Sequence, residues 1–356
     1  MTTSKLSRLW MQQNWPWLRL VMATCLLVSL LMAGHSTYNW QENHARSERG
    51  ERINAADFVK HPESFQIAGQ PAASLQAYYD HLDQYFWPGE YTSTNPKQAV
   101  RAHQPNRFYY VLALIGGLLL AFYGRRTHRF EFMTALGATR WQIWWQQVRL
   151  ALALMATIFV SQLIYYGWII AVIPQTYQHY RNLPAMFGSS VAVTLVSGCL
   201  LMLGWLVGNL NHRLWLAILI SGLTWRWASG MLTRTNIWLR WFNIQTLPDI
   251  WLHVHYGVSA TMALVGLLIL LGLTWISFRH WSADIVTLHQ QSRFNAFTAI
   301  VLFSLGIGST FGDMLLLPLM KTIAPWYELV GISLVLFGLL VYYGSHRYQG
   351  IGGLTR

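Results

Sequence analysis

RRTHRFEFMTALGATRWQIWWQQVR, residues Arg125–Arg149, separates two of the most apolar runs in the chain, and its reading decides what those runs are. Its arginines (Arg125, Arg126, Arg129, Arg140, Arg149) and its single acid, Glu131, do not rest in hydrocarbon, where a charge at mid-bilayer costs about 2.5–3.5 kcal/mol. The segment is too short for a domain. A charged, helix-prone link between two apolar runs marks a surface turn between two membrane spans.

Composition agrees. Charged residues make up 11% of the 356-residue chain and hydrophobic ones 54%, whereas soluble domains carry about 25% charged residues. Runs long enough to cross hydrocarbon, which takes about 20 helical residues, recur along the whole sequence. Tryptophan and tyrosine, 19 and 17 in number, gather near the ends of those runs, as amphipathic rings do at headgroup level. These features imply an all-α polytopic membrane protein. The net charge of +12 then reads as a cytoplasmic Lys/Arg excess in contact with anionic lipid, and not as a nucleic-acid surface. Cys25 and Cys199 fall inside expected spans and read as small packing residues.

About eight spans are expected. Residues 4–15 suit a short helix on the cytoplasmic surface, with Leu6, Leu9, Trp10 and Gln13 at helical spacing around Lys5 and Arg8. The first span covers about 17–34; its apolar part is long for a cleaved signal peptide. Residues 35–107 form a small extracytoplasmic domain holding Glu42, Glu48, Glu51, Asp57, Glu63, Asp80, Asp83 and Glu90. Within it, Ser74 caps an expected helix over 74–87 with Tyr78, Leu82, Tyr85 and Phe86 on one face. Further spans are expected at 108–124, 150–173, 185–207, 214–233, 257–278, 295–312 and 326–343. Residues 108–280 are thus a core, and 281–356 add a two-helix C-terminal extension.

Charge sets the orientation. With the long 35–107 loop left aside, Lys5, Arg8, Arg19, Arg125, Arg126, Arg129, Arg140, Arg149, Arg213, Arg279, Arg293, Arg347 and Arg356 fall on one side. Arg181, Arg226, Arg234, Arg240 and Lys321 fall on the other. The richer side is cytoplasmic, and it carries both termini and residues 125–149. The outer stretch 233–256 is too charged to span and too aromatic for a free loop; it suits re-entrant or interfacial helices. Arg226, within an expected span, and Arg234 and Arg240 beside it are candidate contacts for an anionic lipid or substrate.

Read as one helix, 125–149 sets Phe132, Leu136, Ile143 and Trp144 on an apolar side, with Arg129, Glu131, Arg140 and Gln142 polar. Such a helix docks into a partner's groove or lies on lipid headgroups, and amphipathicity does not choose between the two. Here the chain resembles a family. E-F-M-T-A-L-G-A-T-R, Glu131 to Arg140, is similar to the cytoplasmic signature of ABC-2 type transporter permeases, where a polar residue leads, five positions on, to Leu-Pro-x-Ser/Thr-Arg and a Gln-Ile-like pair. Leu136, Thr139, Arg140, Gln142 and Ile143 match, and Gly137 replaces the usual Pro. The A-L-G-A-T run also resembles the macrolide-export and cell-division type of ABC permease, whose Glu lies two residues further from the Leu-Gly. That type has four spans and a much larger outer domain, so spacing and span count favour the ABC-2 pattern.

The ABC-2 resemblance implies an exporter permease of the bacterial cytoplasmic membrane, driven by a separate ATPase that binds ATP and Mg. That ATPase would dock on Arg129, Glu131, Phe132, Leu136, Gly137, Thr139, Arg140, Gln142 and Ile143. It also implies a second permease subunit, identical or paralogous, and suggests an amphipathic cargo such as a lipid, peptide or drug. The chain itself is expected to be no enzyme and to hold no cofactor: it lacks any Gly-Lys pair with which to build a phosphate-binding loop. S-T-F-G-D (Ser309–Asp313) lacks the second Asp of a carboxylate dyad, and His253 and His255 have no evident third ligand, so no metal is expected. A non-transporting accessory or immunity protein is the alternative from another class. Gly204-x-x-x-Gly208 and Gly308-x-x-x-Gly312 read as close-packing signals between helices.

Overall fold

The protein is described from a computed structural model, over residues 3–51, 53, 55–67, 70–86, 108–126, 129–210, 214–229, 256–279, 293–312 and 330–342. In chain order the helices are α1 (Thr3–Glu48), α2 (Ala55–Lys60), α3 (Leu75–Leu82), α4 (Phe108–Arg126), α5 (Arg129–Ala135), α6 (Arg140–Val172), α7 (Leu183–Leu210), α8 (Leu214–Ser229), α9 (Tyr256–Arg279), α10 (Arg293–Phe311) and α11 (Val330–Tyr342). A two-stranded antiparallel hairpin, β1 (Gln66–Ile67) and β2 (Gln70–Pro71), lies between α2 and α3. Among the described residues, four helices are long and apolar enough to cross a membrane: Asn14–Glu48 of α1, α6, α7 and Ala260–Arg279 of α9. The apolar parts of α4, α8, α10 and α11 are shorter, at 10–17 residues each.

A helix that is apolar all round belongs in a protein core or a membrane span. α7 is such a helix, and it is the centre of the bundle, packed against α4, α6, α8 and α9. From Leu200 to Leu210 every residue of it is buried. α4 approaches it backbone to backbone. A Cβ at Gly117 would collide with the carbonyl oxygen of Leu201, one at Gly204 with that of Leu114, and one at Gly208 would lie 2.6 Å from the Ala121 Cβ. The second glycine pair works in the same way, since a Cβ on Gly308 would meet the Gly331 oxygen at 2.9 Å. Both Gly-x-x-x-Gly signals are therefore close crossings.

α1 differs from expectation at both ends. It continues through Pro16 without a separate surface helix, and it does not stop at residue 34 but runs 46 residues to Glu48. An interior proline loses a backbone donor and crowds the carbonyl four residues back, at about 3 kcal/mol, and the helix continues through it nonetheless. Beyond residue 34, side-chain pairs one turn apart support the polar extension: Arg46 to Glu42 at 2.5 Å and His44 to Glu48 at 3.6 Å. Gly50, at φ +68°, ends the helix, donating to the Ser47 oxygen while Glu51 N–H donates to that of Arg46, a Schellman cap. α1 lies on α6 along a narrow stripe of small buried residues, Cys25, Ser29, Ala33 and Thr37, and its leucines 20, 27, 30 and 31 point outward.

The polar extension carries a cap. Ser74 does cap α3, accepting from Ala77 N–H at 3.1 Å, but the helix ends at Leu82 and its buried aromatic is Tyr79, not Tyr78. Phe65 bridges Phe58 and Tyr78 in a small aromatic core. Asp83 is the hub. At 3% exposed it is the one charged side chain among the buried described residues. Its carboxylate accepts from Ser47 Oγ at 3.0 Å and meets His44 Nδ1 at 2.8 Å, while its carbonyl accepts from Trp40 Nε1 at 2.7 Å. The next residues hold the loop after α6: Gln84 Nε2 donates to Thr176 O and Tyr85 N–H to Tyr177 O. Burial, and then the neighbouring Tyr165, pushes the Tyr85 phenol above its ordinary pKa.

Two outcomes are expected. Gly204→Val lowers the detergent unfolding temperature, at an overpacking cost of about 1–3 kcal/mol, whereas Gly222→Ala, with nothing within 4 Å of the new Cβ, leaves it unchanged or raises it. Asp83→Ala removes the buried acceptor shared by Ser47 and His44 and loosens the cap, at about 1–3 kcal/mol. Hydrogen exchange of residues 174–182 reports this: faster exchange is expected there, with the exchange of α7 unchanged.

Candidate functional site

Residues 125–149 do not form one helix. α5 is a two-turn helix that ends at Ala135, and the four residues Leu136–Thr139 join it to α6, which starts at Arg140. Both boundaries have local causes. Gly137 adopts φ +83°, its N–H donates to Thr134 O at 2.9 Å, and Ala138 N–H donates to Met133 O at 3.0 Å, a second Schellman cap. Thr139 then opens α6 with a capping box: Gln142 N–H donates to Thr139 Oγ1 at 3.3 Å and Thr139 N–H to Gln142 Oε1 at 3.0 Å. A-L-G-A-T-R-W-Q is thus a helix stop joined directly to a helix start. α6 begins at Arg140, ten residues before the expected span.

The break separates the candidate residues. Phe132 on α5 and Leu136, the residue just after it, are 50% and 38% exposed. Ile143 and Trp144, expected on the same apolar side, are 1% and 6% exposed and face the bundle. That shared side is corrected, because the turn at Gly137 rotates α6 away from α5. Thr139 and Gln142 are occupied with each other. Gly137 faces open space, with nothing within 4 Å of a Cβ built there. Arg140 is exposed but donates through Nη1 to the carbonyl oxygen of Arg279, the last residue of α9. Glu131 is half-buried, and Arg129 lies on α5 with its side chain outside the described residues.

Residues that sequence reading passed over anchor the turn. Phe130 and Met133 are fully buried. The Phe130 ring fills the place where a Cβ on Gly124 would sit and meets Phe278 edge-on at 5.5 Å. Trp141 meets Trp275 edge-on at 4.9 Å, and Trp144 stacks on Trp205 at 6.4 Å. Phe130 and Met133 are three apart, a one-face spacing visible in the sequence; the partners of Phe130 and Trp141, Phe278 and Trp275, are more than a hundred residues away and carry no local signal.

Arg234 and Arg240, and the stretch 233–256 apart from Tyr256, lie outside the described residues, as do His253, His255 and Asp313. Arg226 falls on α8, its side chain outside the description. Among the described residues no three metal-ligating side chains cluster. No protein-family model, curated protein or solved structure matches the chain.

Gly137 is the position on which the turn's geometry can be tested. A φ of +83° excludes proline, whose ring fixes φ near about −65°. Gly137→Pro is expected to abolish the cap and raise exchange across residues 129–142, and Gly137→Asn to preserve it, since asparagine tolerates the left-handed region. Equal exchange in the two variants would contradict the assigned turn.

Proposed function

We propose that this chain is the membrane-spanning permease subunit of an ATP-driven exporter, and that a separate ATPase docks on the turn between α4 and α6. The supporting observation is the pair Phe132 and Leu136. They are large, apolar and exposed, one turn apart on a short helix and the residue that ends it, and the helix's opposite face is fixed by Phe130 and Met133. A rigid helix offering two apolar anchors is the form in which an amphipathic helix fills a partner's groove. In this reading all eight apolar helices cross the membrane, both termini and the docking turn are cytoplasmic, and the cap on α1 is extracytoplasmic. ATP and Mg belong to the partner, and a second permease chain completes the path of an amphipathic cargo. Thr139, Gln142 and Ile143 serve the turn from within, leaving Phe132 and Leu136 as the contact residues.

One observation favours the second permease type. Gly137 in the left-handed region suits the A-L-G-A-T tail of the macrolide-export and cell-division permeases, and does not suit the Pro of the ABC-2 signature. Span count and the Glu131 spacing still favour ABC-2. The two types agree on the docking role.

The test is a mild-detergent pull-down of the tagged chain from its native membrane, with mass spectrometry of what accompanies it. A phosphate-loop ATPase is expected with wild type. Phe132→Asp/Leu136→Asp is expected to lower its recovery at least tenfold without changing the unfolding temperature, because both side chains are already exposed. Undiminished recovery removes the docking assignment. Absence of any ATPase from wild type, even after cross-linking at residues 129–136, favours a lipid-surface helix and the non-transporting accessory or immunity protein.

A further inference from the structure

The turn is joined in sequence to α4 and α6, but its grip on a third helix is equally specific. The final two turns of α9 are held from both sides of the Gly137 break. From α5, the buried Phe130 meets the buried Phe278. From α6, Trp144 Nε1 donates to Thr274 Oγ1 at 3.5 Å, Trp141 and Trp144 both pack on Trp275, and Arg140 donates to the Arg279 carbonyl. A cation at the C-terminal carbonyls of a helix is favoured by the helix dipole and satisfies an acceptor that the helix leaves open. Further along, α9 rests on α7 by a narrow seam of small groups, where Cys199 Sγ donates to Ala263 O at 3.0 Å and a Cβ on Gly266 would lie 3.5 Å from the same sulfur. Its outer face, with Met262, Val265, Leu268 and Ile269, is exposed. α9 is therefore seated along α7 and gripped at its C-terminal end by the turn.

We infer that α9 is the element through which a load on the docking turn reaches the bundle, and that Arg140 is a positioning residue of that link and not a docking residue. The inference rests on the docking reading of the turn. A push on Phe132 and Leu136 moves α5 as a rigid piece, since the four residues between α5 and α6, Leu136–Thr139, are held by the Schellman cap and the capping box. Phe130 and Arg140 carry that displacement into residues 274–279.

The experiment compares hydrogen exchange of the full permease–ATPase complex, in lipid nanodiscs, with and without ATP and vanadate. Wild type is expected to change exchange in two places, residues 129–136 and residues 270–279. Arg140→Gln is expected to keep the ATPase bound and to keep the change at 129–136, while losing at least half of the change at 270–279. Arg140→Lys, which retains a cationic donor, is expected to restore most of it. A merely structural role for Arg140 would raise exchange at 270–279 in both nucleotide states and leave their difference intact, which overturns the inference. So does a wild-type response confined to 129–136. Loss of the ATPase itself from Arg140→Gln, with the fold unchanged, returns Arg140 to the docking surface. Failure of wild type to retain any ATPase removes the docking reading, and this inference with it.

Discussion

The backbone of α4 lies directly against the backbone of α7, and the bundle is arranged around that contact. Helices surrounded by hydrocarbon gain nothing from hiding leucine from water, so their association depends on van der Waals contact over surfaces that allow close approach. Gly117, Gly204 and Gly208 supply such a surface at the centre. Cys25, Ser29, Ala33 and Thr37 supply one between α1 and α6, and Gly308 and Gly331 another between α10 and α11. Large side chains fill the gaps left around these crossings; Trp205, fully buried on α7, is the largest.

The positions of the apolar helices were legible because hydrocarbon thickness demands a run of fixed length, a property of the local sequence. Their ends were less so. α1 and α6 both extend well past the apolar residues that announced them, and the causes are polar: Arg46 with Glu42 on one, the Thr139–Gln142 box on the other. Such groups read as loop or surface when hydropathy alone is followed. Both signals of the Gly137 turn, a glycine stop and Thr-x-x-Gln start, were nevertheless present in the sequence. Treating 125–149 as one amphipathic helix overlooked them and placed Ile143 and Trp144 on the wrong side. The pairing of Phe130 with Phe278 depends on α9 arriving beside α5, a tertiary event with no local trace.

The turn also shows how a short motif can hold residues with different tasks. Thr139 and Gln142 satisfy each other's backbone, Gly137 supplies a conformation, and Arg140 reaches a distant carbonyl. Phe132 and Leu136 face outward. A likeness at Thr139, Arg140 and Gln142 therefore reports a way of ending one helix and starting the next, and the apolar pair is the part that can recognise something else.

The length of α1 has a mechanical meaning. At 1.5 Å per residue its 46 residues measure about 69 Å, more than twice the roughly 30 Å of a bilayer's hydrocarbon. It carries the cap at one end and is seated on α6 along a line only one small side chain wide. The length beyond the hydrocarbon is what reaches the cap: Trp40, His44 and Ser47 on that part of the helix all meet Asp83.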